Sequence, residues 1–297
     1  MSFPSILLRT APALARIIGL LSLAVALGGC SAIKLGYASL PEVGYWWLDG
    51  YLDFDDDQQP RMREDLARVH AWHRAEELPR IVQLLQSFER LAPAEVTADQ
   101  ACSFEPALRE RFTALRQRVE PVVAGHALAL TPAQLEHLER KFTQRNREFQ
   151  NEWVRLSAAD LLDKRLKAFV ERAETVYGSL GEPQRTAVRQ QLEGSAYNPA
   201  AVLAERRRRQ QDTLAVLRRL AGQGAGFDEA RLAVRGLFDR LVQSPDAGYR
   251  AYVDTMRQET CRSLAAVHRS TTAAQRDHAA RRLRGWQRDL TELSLPQ

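Results

Sequence analysis

The stretch HAWHRAEELP places His70, His73 and Glu77 at i, i+3 and i+7, near one face of a helix. Two imidazoles and a carboxylate are ligands that zinc takes, so one class this spacing supports is a metal-binding or hydrolytic protein. Spacing nominates no distant ligand, because His126, His137, His268 and His278 are scattered along the chain. The plainer reading makes His73 and Glu77 a buried polar pair against a neighbouring helix, with Trp72 beside them. Asn146 joins the set because it falls on the apolar stripe from Phe142 to Phe149, where a polar group needs partners. His70, His73, Glu77 and Asn146 are therefore the candidate polar site. If His73, Glu77 and Asn146 meet, a fold-specifying network is the favoured outcome, with no metal or cofactor.

A second stretch, YWWLDGYLDFDDDQQP, alternates Asp53, Asp55 and Asp57, and Glu64 follows Asp53 by eleven positions, as in a calcium loop. The sharp turn needs glycine where Gln58 stands, and Pro60 removes an amide, so helix capping is the better explanation of Asp55 and Gln58. The aromatics Tyr45, Trp46, Trp47 and Tyr51 are expected to pack a short helix on the core, with membrane-surface contact as a lesser contributor. Gly222, Gly224 and Gly226 do not make a phosphate loop, since the third glycine is misplaced and no strand precedes it. The chain has no G-x-S-x-G elbow, H-E-x-x-H or C-x-x-C. Nothing nominates a nucleophile, and a non-catalytic protein is expected.

The elements that must hold these residues read as helices. Ala, Leu, Arg, Glu and Gln dominate, and Asn-Gly or Asp-Gly turns between alternating strands are missing. Apolar residues recur at helical spacing in three segments. The first runs from Met62 through Leu66, Val69, Ile81, Leu84 and Phe88 to Leu91; the second runs from Leu135 to Leu156. The third comprises Tyr249, Val253, Met256, Leu264 and Val267. Four glutamines, Gln58, Gln134, Gln184 and Gln275, stand three residues after Asp55, Thr131, Gly181 and Thr272, which is capping-box spacing. Gly181 has no side chain, so its box is half made. Pro79 should kink or restart the first long helix, and Pro93, Pro106, Pro121 and Pro132 should mark later starts. The glycine-rich run at 221–228 is the candidate hinge. In the last helix Leu283, Trp286 and Leu290 form a narrow stripe among arginines, which favours packing on the bundle over lying on anionic lipid. The expected fold is an all-α multi-helix bundle.

The N-terminus speaks to location. Arg9 and Arg16 precede an apolar run, Ile17 to Leu27, that is too short to span a bilayer and suits a secretory leader. It ends in Leu27-Gly28-Gly29-Cys30, which resembles a bacterial lipobox. The expected order is a lipoprotein signal peptide at 1–29, an anchor and tether at 30–44 with Cys30 lipidated, and one helical periplasmic domain at 45–297. Ser31 after the cysteine favours the outer membrane, with the domain on the periplasmic face. In an oxidising compartment Cys102 and Cys261 are expected to form a disulfide. The formal charge of +5 falls by two when Arg9 and Arg16 leave. No basic face interleaved with aromatics points to nucleic acid.

LGGC, YWWLDGYLDFDDDQ, WHRAEELP and LTPAQLEHLERKFTQRN together resemble a family of uncharacterised proteobacterial lipoproteins, over nearly the whole mature chain. The resemblance implies an all-helical periplasmic domain on an acylated anchor and carries no activity with it. LTPAQ is also similar to the L-T-x-x-Q signature of small periplasmic stress chaperones, which cradle unfolded clients. The leading expectation is an interaction or structural protein of the cell envelope with a protein or peptide partner. The alternatives are a chaperone-like binder of unfolded proteins and the metal-binding or hydrolytic protein above.

Overall fold

Helix starts are set where the glutamines predict them. Thr131 Oγ1 accepts from the Gln134 amide at 3.3 Å, and Gln134 Oε1 accepts from the Thr131 amide at 2.9 Å. Thr272 and Gln275 repeat this at 3.2 and 3.0 Å. Asp55 and Gln58 do so at 2.9 and 3.3 Å, one turn before the regular helix begins. Gly181 has no side chain to accept, and only its amide takes part in the box, donating to Gln184 Oε1 at 2.9 Å, so the box is half made. Thr97 and Gln100 form a further box, unannounced by any apolar periodicity because VTADQAC starts a helix of only five residues.

The computed structural model describes residues 29–222 and 224–295, and among them every regular element is a helix. Residues 1–28 of the expected leader at 1–29, and the Cys30 side chain, lie outside the described residues. In chain order the elements are α1 (Gly29–Ala38), α2 (Leu40–Leu52), α3 (Gln58–Trp72), a π-helical turn (His73–Glu77) and α4 (Leu78–Leu91). Next come α5 (Ala98–Cys102), α6 (Glu105–Leu128), α7 (Pro132–Phe149), a second π-helical turn (Gln150–Val154) and α8 (Ala158–Tyr177). The chain closes with α9 (Glu182–Glu193), α10 (Pro199–Gly222), α11 (Phe227–Val242), α12 (Ala247–Ser270) and α13 (Ala273–Ser294).

Pro79 restarts rather than ends the first long rod. The π-helical turn takes up the misfit, the Leu78 amide reaches back to His73 O, and Pro79 sits in the first turn of α4. Pro106 and Pro132 lie in first turns as expected. Pro121 does not: it sits inside α6, which runs through it unbroken. Burial of Ala124 and Ala127 against α10 and α11 outweighs the lost backbone bond. Pro93 lies in the turn after α4. Within the glycine-rich run at 221–228, α10 ends at Gly222 and α11 begins at Phe227; Gly224, between them, has φ +60°, and Ala221 and Ala225 pack on the core.

The central core takes Ala124, Leu135, Leu138, Leu214, Leu217, Leu220, Val234 and Leu237 from α6, α7, α10 and α11. A smaller cluster, Tyr45, Phe54 and Met62, seats α2 on α3. At the other end Val188, Leu192 and Val267 join α9 to α12, with Leu166 and Phe169 of α8 against them. Leu283 and Trp286 of α13 pack with Ala92, Leu85 and Phe88 beside α4, so the last helix belongs to the bundle. The third sequence stripe needs correction. Val267 is buried as expected, but Val253 and Leu264 are exposed, and Cys261, Ala265 and His268 are buried in their place. Cys102 of α5 and Cys261 of α12 are disulfide-bonded, with Cα atoms 5.4 Å apart.

The capping glutamines have a second role. Gln58 Nε2 donates to Ala129 O at 2.9 Å, while Gln134 Nε2 donates to Asp53 O at 3.0 Å and to Gln58 Oε1 at 2.6 Å. Gln184 Nε2 donates to Ser270 O at 2.9 Å and to Gln275 Oε1 at 2.7 Å, and Gln275 Nε2 donates to Ser179 O at 2.8 Å. In every case the carbonyl reached lies two residues before the partner's cap residue. Two pairs of helix starts, α3 with α7 and α9 with α13, are thus tied together by the same crossed bonds. Asp53, in the left-handed region at φ 51°, turns its carbonyl toward this use.

Candidate functional site

The four residues of the candidate polar site do not assemble. Asn146, on α7, donates through Nδ2 to Gln210 Oε1 of α10 at 2.6 Å, inside a small polar cleft between those helices. Its Oδ1 is buried without a protein partner. His73 and Glu77 lie elsewhere, around the first π-helical turn. The sequence could place Asn146 on an inward face, but which neighbour that face meets depends on chain topology.

Around the π-helical turn the side chains act as a clamp. Tyr37, on α1, has its hydroxyl 2.9 Å from His73 Nδ1, and its own carbonyl accepts from His70 Nε2 at 3.0 Å. The Tyr37 and His70 rings lie 4.6 Å apart. Burial holds the His73 imidazole below its ordinary pKa, against the opposing pull of Glu77, and pushes the Tyr37 phenol up to about 12. Glu77 is only 2% exposed, and its carboxylate partner is not His73 but Arg111 of α6, at 3.3 Å. Arg74 donates to the carbonyls of Leu293 and Leu295. Donors and acceptors here are spent on joining α1, α6 and the end of α13 to one turn. Among the described residues no group of three or more His, Cys, Asp or Glu is arranged to hold a metal. His70, His73 and Glu77 thus belong to a structural junction, and the expected His73–Glu77 pair gives way to Tyr37–His73 and Glu77–Arg111.

A more open arrangement lies where α8, α9 and α12 meet. A groove of about 530 Å³ has a floor of Phe169, Ala173, Leu192, Met256, Leu264 and Val267. One rim is polar. Arg165 donates to Ser195 Oγ at 2.8 Å and to Leu192 O at 3.3 Å, and its guanidinium lies 4.6 Å from the centre of the Tyr197 ring. Ser195 in turn donates to Glu259 Oε2 at 2.6 Å, and the Ala196 amide donates to Oε1 at 2.9 Å. Burial pushes the Arg165 pKa down and the Tyr197 pKa up. Deeper in, the Tyr177 hydroxyl is 2.8 Å from His268 Nδ1, whose Nε2 donates to Ala94 O at 2.7 Å. Ser195 already joins Arg165 to Glu259, so its hydroxyl serves as a link. An apolar floor beside a half-buried cation and a carboxylate can seat an apolar side chain while pairing with backbone or charged groups next to it. Of these residues the sequence places only Met256, Leu264 and Val267 in a stripe and gives the rim no role, because Arg165, Ser195, Tyr197 and Glu259 come from two helices and a loop with no shared motif.

A polar cleft of about 480 Å³ between α3 and α6 carries a hydrogen bond between His126 Nε2 and Asp65 Oδ2, at 2.9 Å. Arg61, Arg68 and Arg118 line it with Glu64, and charges of both signs offset one another.

No curated protein and no solved structure matches the chain significantly. Residues 50–238, well over half of the chain and including the first π-helical turn and both Gln58 and Gln134, match a family of unknown function (DUF6279), and the protein belongs to that family.

Proposed function

We propose that the protein is a non-catalytic interaction protein of the cell envelope, tethered through a lipidated Cys30 to the periplasmic face of the outer membrane. In this reading the groove between α8, α9 and α12 receives a short segment of an envelope protein or peptide. The observation that supports it is the pairing of that apolar floor with the Arg165–Ser195–Glu259 rim. An apolar anchor in a pocket, flanked by directional polar contacts, is how a groove distinguishes one segment from others. The volume suits one or two side chains, which favours a defined segment over an extended unfolded client.

Site-specific photocrosslinking in cells tests this. A photoreactive residue at Leu264, half exposed on the groove floor, is expected to give a discrete adduct. The same residue at Val242, exposed at the end of α11, is expected to give none. Arg165→Ala should abolish the Leu264 adduct, with helical circular dichroism retained and only a modest loss of stability from the bonds to Leu192 O and Ser195. Equal patterns from both positions would reject the groove as the binding site.

A further inference from the structure

Helix α2 has two apolar faces, and only one is covered. Tyr45, Leu48 and Leu52 pack against Phe54, Met62 and Leu66. On the opposite side Leu40 is 50% exposed, Val43 59%, Trp46 61% and Trp47 61%. At about 100° per residue these four span an arc of roughly 120°. The other positions in that arc, Ser39 and Gly50, are also exposed and carry no charge. The acids Glu42, Asp49 and Asp53 fall outside it. Leu35, 68% exposed, extends the apolar surface into α1. The backbone scarcely breaks between the two helices, since Ser39 N–H bonds Leu35 O and Val43 N–H bonds Ser39 O. Sequence reading expected the tryptophans to pack inward with the tyrosines; the structure divides them, tyrosines in and tryptophans out.

We infer that this exposed Leu40–Val43–Trp46–Trp47 face lies on the lipid surface and sets how the domain sits against the membrane. The inference rests on the tethered reading above. Three observations select lipid as the occupant. The expected leader ends at Gly29, so the face begins ten residues after Cys30, the proposed lipid attachment. At about 1.5 Å per residue Leu40 lies roughly 15 Å along the rod from Cys30 and Trp47 roughly 26 Å. An anchor at one end therefore brings a nearby, parallel helix to the interface. The residues also suit that depth, because indole prefers the boundary of headgroup and acyl chain, and a charge-free arc can enter it without stripping an ion. Finally, the cation beside the face, Arg63, is held at its edge by Glu42 and by the rings of Tyr45 and Trp46, 3.5 and 5.4 Å from their centres, so the charges border the arc as a pair and leave it apolar.

The test uses full-length protein reconstituted in phosphatidylethanolamine–phosphatidylglycerol vesicles, with and without lipids brominated near the top of the acyl chain. Tryptophan emission is compared between the native protein and the Trp46→Ser/Trp47→Ser variant, which leaves Trp72, Trp153 and Trp286 as background. The expected result is quenching of the emission that the double substitution removes, with the variant still floating with the vesicles and nearly insensitive to bromine. Emission from Trp46 and Trp47 that ignores brominated lipid, in protein that carries labelled palmitate and floats, would overturn the face while leaving the tether. A Cys30→Ala protein added to the same vesicles separates the two ideas further. Quenching at high lipid in that protein supports the face whether or not the native protein takes up palmitate; loss of quenching in both proteins overturns it.

Discussion

His73 and His268 show what burial does to an imidazole in this protein. Each has a tyrosine hydroxyl at Nδ1, Tyr37 in one case and Tyr177 in the other, and burial lowers both pKa values below 6.5. The charges facing His73 are Glu77, which opposes the shift, and His70, which adds to it. Those facing His268 are Arg276, which lowers its pKa, and Glu95, which raises it. The unfolded chain binds protons at these positions as pH falls through about 6.5, while the folded chain resists until lower pH. Stability is therefore fully present above that value and declines as pH drops from 7 toward 5. Denaturant unfolding at pH 7.5 and pH 5.5 should show the loss, and His73→Asn with His268→Asn should flatten it. An unchanged slope in the double variant would place the proton uptake elsewhere. Glu205 acts at more acid pH: burial opposes ionisation, but bonds from Arg208 and Arg209 prevail and bring it to about 2. Its contribution is present above the ordinary carboxylate range and is lost on falling toward that value.

Helix starts are where the elements decide their neighbours. A capping box is local, and the spacing from Asp55, Thr131 or Thr272 to its glutamine announces it in one dimension. The amide nitrogen of the same glutamine is left over, and only the meeting of two helix starts gives it the carbonyls of Ala129, Asp53, Ser270 and Ser179. Replacing Gln134 with leucine would remove the return bond to the Thr131 amide, leaving half of the α7 capping box, and would leave Asp53 O without its partner. A buried polar group left unpaired costs about 1–3 kcal/mol. Gln134→Leu and Gln184→Leu should each lower unfolding free energy by roughly that amount, with helical circular dichroism retained. Gln100→Leu, whose box is exposed and has no crossed partner, should lose only about 1 kcal/mol or less, the range of a cap alone. Equal losses at Gln100 and Gln134 would show that the crossed bonds add nothing. The start signals, the first turns at Pro106 and Pro132 and the inward side of most helices were thus readable. The continuity of α6 through Pro121 was not, because neighbouring helices decide whether a missing backbone bond breaks a rod.

At the scale of the molecule the disulfide ties positions separated by 159 residues, bringing the short α5 onto the middle of α12. Closing so long a loop restricts the unfolded chain by about 5 kcal/mol in the chain-entropy treatment, and measured gains are often smaller. Reduction, or Cys102→Ser with Cys261→Ser, should lower the denaturation midpoint and free α5 first, since that helix buries no side chain of its own. Hydrogen exchange across residues 98–102 reads that order; an unaltered midpoint after reduction would show that the bundle holds the two ends without the bond. The same cross-link braces the groove, because α12 supplies both Cys261 and the floor residues Met256 and Leu264.

Helical periodicity, capping spacing and two cysteines after a leader-like segment were enough to specify an all-α bundle and to pair Cys102 with Cys261. Each of those signals depends on residues close in sequence, or on pairing the two cysteines left after Cys30. Tertiary structure alone decided that Asn146 stands apart from His73 and Glu77, that Arg111 neutralises Glu77, and that Trp46 and Trp47 face outward. It alone assembled Arg165, Ser195 and Glu259 beside one apolar floor. The reason is geometric: a helix displays its residues all around its axis, and which of several apolar faces is covered depends on partners that the chain delivers from a hundred residues away.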